Sequence, residues 1–121
     1  VKYLESKITL SEMQTTVDDY IRQFKTGYFG PLAQMARLTE EMGELAREIN
    51  HHYGEKQKKA TEPAKAIPEE MGDVLIVLLM MANSLDIDLT EAFEKNMDKF
   101  QKRDQFRFER VDGRVGEKKE K

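Results

Sequence analysis

The chain has 121 residues, 39% of them hydrophobic and 36% charged, with a formal net charge of −3. That suits one domain with enough apolar material for a core, and the interspersed charge excludes a generally basic nucleic-acid-binding surface. With no cysteine, disulfide frameworks and thiolate metal sites are excluded too, which fits a reducing cytoplasm.

The first ten residues, VKYLESKITL, carry no secretory apolar segment, and residues 1–8 read as a lead-in. Thr9-Leu-Ser-Glu12 reads as a capping box, and Leu10, Met13, Val17, Ile21 and Phe24 follow at helical spacing. A first helix is expected over about 10–24. The loop KTGYFG (25–30) leads to Pro31, a favourable first-turn residue. Leu32, Met35, Leu38, Met42, Leu45 and Ile49 then set an apolar stripe, predicting a helix over 31–52 with Gly54 as its stop.

Residues 54–66 are polar and Lys-rich and read as a surface loop. Pro68 opens a third helix, expected over 68–84. Its second half, Val74 to Ala82, is apolar on every side, the pattern of a helix covered all round. Nine such residues fall far short of the roughly 20 that span a bilayer. Asp88-Leu-Thr-Glu91 resembles a second capping box and starts a fourth helix, expected over 89–105 with Leu89, Phe93, Met97 and Phe100 inward. Residues 107–121 read as a disordered charged tail, with a stray hairpin at 107–115 as the only strand candidate. The expected fold is all-α, an antiparallel four-helix bundle over 1–106.

One pattern asks for a chemical explanation. Glu40-Glu41-Met42-Gly43-Glu44 recurs 29 positions later as Glu69-Glu70-Met71-Gly72-Asp73. On a helix, residues three apart share a face, so Glu41 pairs with Glu44 and Glu70 with Asp73. Antiparallel packing of the two helices would bring four carboxylates together. Their mutual repulsion would raise their pKa values, and a hard divalent cation would relieve it. Each glycine, costly inside a helix, would suit a place where a backbone or ligand comes close. Either pentapeptide alone reads equally well as solvated charge. In the second, the acids of the first turn also suit the helix dipole.

Competing metal patterns fit less well. No EF-hand loop is present. Glu48-Ile-Asn-His51 supplies one Glu-x-x-His unit of a di-iron site, but with His52 as the only other histidine a second unit is missing. His51 and His52 read instead as residues favouring the helix C-terminus. Near the fourth helix's inward stripe stands Asn96, with Lys95, Lys99 and Lys102 on one face and Arg103 beside it. Tyr28 and Phe29 are candidates for stacking on a base or for a core contact, and Arg37 for pairing with Glu41.

Glu-Glu-x-x-Glu on one helix and Glu-x-x-Asp on the next is similar to the signature of the MazG-like nucleotide pyrophosphohydrolases. The resemblance covers about residues 10–105 and is nearest to the short single-domain members. It implies Mg²⁺-dependent hydrolysis of an NTP or dNTP between the α and β phosphates, with Mn²⁺ as an alternative ion. It also implies Glu41, Glu44, Glu70 and Asp73 as metal ligands, with Glu40 or Glu41 acting on the attacking water. Asn96, Lys99 and Arg103 would touch phosphate; Tyr28, by its place in the loop before the second helix, is the candidate for substrate contact. Partners implied are the nucleotide and further copies of the chain, as a homodimer or homotetramer, with no nucleic acid and no membrane. The competing interpretation is a non-catalytic helical module that oligomerises or binds nucleotides.

Overall fold

The computed structural model describes residues 8–54 and 67–114. Among them are four α-helices and no strand: α1 (Leu10–Ile21), α2 (Pro31–Tyr53), α3 (Ile67–Ser84) and α4 (Leu89–Arg103). The Lys-rich segment 55–66 and the end of the tail, 115–121, lie outside the described residues. Two compact units result, one ending at Asp88 and the other beginning at Leu89.

Local chemistry sets the boundaries. Thr9 accepts from the Glu12 backbone N–H at 3.1 Å, and the Glu12 carboxylate accepts from the Thr9 N–H at 2.7 Å, closing the capping box. α1 ends at Ile21, three residues before Phe24. There the chain tightens into turns that reach Gly27, whose φ of +61° costs glycine nothing. Pro31 opens α2, and Gly54 caps it through its N–H to the Asn50 carbonyl. α3 closes in a Schellman motif, with Ile87 N–H bonding to the Ala82 carbonyl at 2.8 Å and Asp86 N–H to Asn83 at 3.1 Å. Asp86 takes the left-handed position there, at φ +59°.

In the first unit α3 packs against α2 and α1. Its core consists of Val17, Val77, Leu79 and Ala82. A closed polar network joins α1 to the end of α3. Tyr28 Oη donates to Asp18 at 2.6 Å and accepts from Asn83 Nδ2 at 3.1 Å. Asn83 also donates to the Gln14 carbonyl, and Gln14 Nε2 donates to Asn83 Oδ1 and the Ile87 carbonyl, all at 2.9 Å.

The stripe expected inside α2 is largely outside. Leu38 and Leu45 are half-buried, but Leu32 is 87% exposed, and Met35, Met42 and Ile49 are exposed too. The inward face runs Gln34, Leu38, Glu41, Leu45, Glu48, at spacings of four and three. α3 is not covered all round either, since Met71, Leu75, Ile76 and Leu78 are exposed. In the second unit α4 has no buried residue, and Phe93, Met97 and Phe100 of its expected inward stripe are exposed. Residues 110–114 form a tight turn, with Arg110 N–H on the Arg114 carbonyl at 2.8 Å, in place of the stray hairpin.

Candidate functional site

Glu41, Glu44 and Glu70 each place a carboxylate oxygen within 4.8 Å of the others. α2 presents the first two one turn apart, and α3 brings the third from across the helix pair. Their surroundings differ. Glu70 is 1% exposed, Glu41 half-buried and Glu44 exposed. Asp73 is half-buried one turn along α3 and acts on Glu41 through its charge, while the group within 4.8 Å comprises the three glutamates. Glu40 and Glu69 are exposed.

Burial pushes the Glu41 carboxyl above the ordinary range, and the charges of Glu44, Asp73 and Glu70 push the same way. Arg37, whose Nε lies 3.8 Å from Glu41 Oε2, opposes them. The other oxygen, Oε1, is buried with no hydrogen-bond partner. Leaving a buried acceptor unfilled costs about 1–3 kcal/mol. A hard cation fits this donor set. Mg²⁺ takes oxygens at about 2.0–2.1 Å, so ligands on opposite sides of its shell lie about 4 Å apart. The three glutamates already approach that span.

The inward face continues beyond the cluster. Glu48, 5% exposed, lies 3.9 Å from both His51 and His52, and the His51 side chain is 6% exposed. His51 is therefore a packed partner of Glu48 as well as a helix-end residue. Reading the apolar stripe as the inner face hid Glu48. The signal that reveals it is the seven-residue repeat of Gln34, Glu41 and Glu48.

The remaining candidates have local partners. Tyr28 is half-buried, its hydroxyl held in the polar network, and Phe29 is 62% exposed. In the second unit Asn96 is exposed and donates to the Ala92 carbonyl of its own helix at 2.8 Å. It is thus not an inward asparagine. Lys99 and Arg103 lie over the Phe100 ring, at 5.9 and 4.9 Å from its centroid, and Arg103 also pairs with Asp104 at 3.1 Å.

A paired-carboxylate face on two packed helices is what the family signature requires, and residues 29–108 match the model of the MazG nucleotide pyrophosphohydrolase domain. The chain belongs to the MazG family. It is 63% identical over 102 residues to the YpjD protein of Bacillus subtilis (strain 168), covering 84% of this chain and 92% of that protein. A crystal structure of Bacillus subtilis YPJD superposes with a TM-score of 0.72 at 64% identity, over 78% of this chain and 97% of the other. The Bacillus-conserved MazG protein, described as a nucleotide pyrophosphohydrolase, gives 0.71 at 57% identity, over 83% and 97%. The enzyme interpretation therefore stands over the non-catalytic module. No helix among the described residues is long and apolar enough to cross a membrane.

Proposed function

We propose that the chain hydrolyses a nucleoside triphosphate between its α and β phosphates, with Mg²⁺ held by Glu41, Glu44, Glu70 and Asp73. The observation that carries this is the convergence of three glutamate carboxylates from α2 and α3, with Glu41 Oε1 buried and without a hydrogen-bond partner. When bound, the ion neutralises phosphate charge and acidifies a coordinated water. The chain's own residues supply the rest. Glu40, exposed, and Glu41, half-buried, are the carboxylates offered to orient the attacking water and take its proton. The water oxygen bonds to the α phosphorus, and the bridging oxygen leaves with pyrophosphate, giving a nucleoside monophosphate. Tyr28, in the same unit as the acid cluster, offers a ring to the base.

Assembly belongs to the same proposal. Leu32, Met35, Met42 and Ile49 on α2 and Met71, Leu75 and Leu78 on α3 form exposed apolar rows spaced by threes, fours and sevens. Such rows suit helix packing between copies of the chain, as a homodimer or homotetramer. Chromatography of the reaction with Mg²⁺ tests the chemistry. Monophosphate and pyrophosphate are expected; a diphosphate with orthophosphate would overturn the cleavage position. Light scattering tests assembly, and a monomer with full activity refutes it.

A further inference from the structure

Arg37 stands where two features of the first unit meet. A cavity of about 230 Å³ lies beside the start of α2, lined by Tyr20, Phe24, Tyr28, Phe29, Gln34 and Arg37, among others. Pockets that enclose a whole drug-sized ligand run to roughly 300–1,000 Å³, so this one suits a single ring system. Its wall is rich in aromatic rings, the usual stacking platform for nucleobases, and Tyr20 and Phe24 brace each other edge to face at 5.2 Å. Gln34 Nε2 donates to the Phe29 carbonyl and, at 3.1 Å, to Ser84 Oγ, which fixes that stretch of wall. Among the described residues, Arg37 is the only charged one lining the cavity. One turn further along α2 is Glu41, the first of the three clustered glutamates. Of the described charges that act on Glu41, that of Arg37 is the only positive one.

The guanidinium is held loosely. Its Nε lies 3.8 Å from Glu41 Oε2, beyond the roughly 2.7–2.9 Å of a charge-assisted hydrogen bond, and the side chain is 49% exposed. Pairs this open contribute little to stability. Five N–H donors in a planar fork match the oxygens of a phosphate two at a time, and no hydrogen bond among the described residues engages them. A cation seated on the acid cluster would loosen the pair further, because it takes up the Glu41 charge and repels the guanidinium. Arg37 then needs another anion, between the cluster and the cavity. The proposed reaction supplies one. Attack at the α phosphorus requires the α phosphate beside the acids, and that phosphate is the one bonded to the nucleoside. With the nucleoside end in the cavity, the α phosphate falls between the two features that Arg37 joins. We propose that Arg37 is a substrate-binding residue, whose fork grips the α phosphate and sets its phosphorus over the acid cluster. A lysine there would supply the charge but not the fork.

This role rests on the nucleotide interpretation, and the test separates the two. Calorimetry with Mg²⁺ compares the four common ribonucleoside monophosphates with their parent nucleosides. The ratio of the two Kd values in each pair isolates what the phosphate contributes. Arg37→Met should cut that ratio at least about tenfold, and Arg37→Lys should recover only part of it. A merely structural loss would weaken nucleoside and monophosphate alike and leave the ratio where it was. An unchanged ratio in a folded Arg37→Met protein therefore overturns the role, as does failure of every monophosphate to bind the wild type. If Arg37→Met does not fold, the wild-type protein decides. Phenylglyoxal, which modifies accessible arginines, is applied with Mg²⁺ and either the nucleoside or its monophosphate, and the Arg37 peptide is read by mass spectrometry. Protection by the monophosphate alone is expected; equal modification under both overturns the role. If no triphosphate is hydrolysed but the ratio falls in Arg37→Met, the proposed reaction fails and the phosphate contact stands. If triphosphates are hydrolysed and the ratio does not move, the reaction stands and the role of Arg37 falls.

Discussion

Two polar clusters lie in the same small unit and are built on opposite principles. Around Tyr28, Asp18, Asn83 and Gln14, donors meet acceptors at 2.6–3.1 Å and tie the loop before α2 to α1 and the end of α3. Around Glu41, Glu44 and Glu70, three carboxylates lie within 4.8 Å of one another. The first cluster is complete in itself and contributes to holding the unit together. The second brings like charges together between packed helices, a conflict that the proposed cation would relieve. The difference lies in charge: neutral donors balance acceptors in the first, while carboxylates crowd together in the second.

The sharpest way to break this contrast is Glu70→Gln. Removing the most buried carboxylate should cost Mg²⁺-dependent turnover about a hundredfold or more. The metal-free variant should keep its helical circular-dichroism signal, because Gln preserves the size and shape of the buried side chain. Mg²⁺ should raise the melting temperature of the wild type, by about 2.7 kcal/mol of stability at a hundred times its Kd, and do much less in the variant. Turnover retained by a helical, folded Glu70→Gln protein would sink the site.

The network should respond in the opposite sense. Tyr28→Phe removes its central hydroxyl and should cost about 1 kcal/mol in denaturant unfolding. It also carries a pH signature. The Tyr28 hydroxyl, and after it Arg22, hold the Asp18 carboxyl below its ordinary value of 3.8. A lowered folded pKa gives stability that is present above the unfolded value and is lost as pH falls through the folded one. The stability gap between wild type and Tyr28→Phe should therefore be full above about pH 4 and shrink below it. A gap that widens on acidification would refute the assignment.

The smallest effect concerns glycine. A Cβ at Gly43 or Gly72 meets nothing within 4 Å, so no neighbour within the described chain explains either residue. Gly43→Ala should then raise stability by about 0.5–1 kcal/mol in denaturant melts. If activity or assembly falls instead, a ligand or second copy approaches that backbone, and the glycine belongs with the acid cluster.

Much of this was legible in the sequence. Thr9, Pro31 and Gly54 announce helix ends through local backbone chemistry that operates whatever the tertiary context. The acid pairs were legible because a spacing of three fixes a shared face. What the sequence concealed was which face of α2 turns inward. Leu32, Met35, Met42 and Ile49 form the more apolar stripe, and hydrophobicity alone assigns it to the core. In the described chain that stripe is exposed, and the face carrying Gln34, Glu41 and Glu48 is turned in. Periodicity cannot tell a core face from a seam that suits another copy of the chain. The interior of α3 was overestimated for the same reason.

The double donation of Gln34 limits how the enzyme can change. One amide fastens the chain before α2 to the end of α3, through Phe29 and Ser84. Any replacement there that lacks both donors unties the two elements. Gln34 itself should change only in lineages that have already gained stability elsewhere.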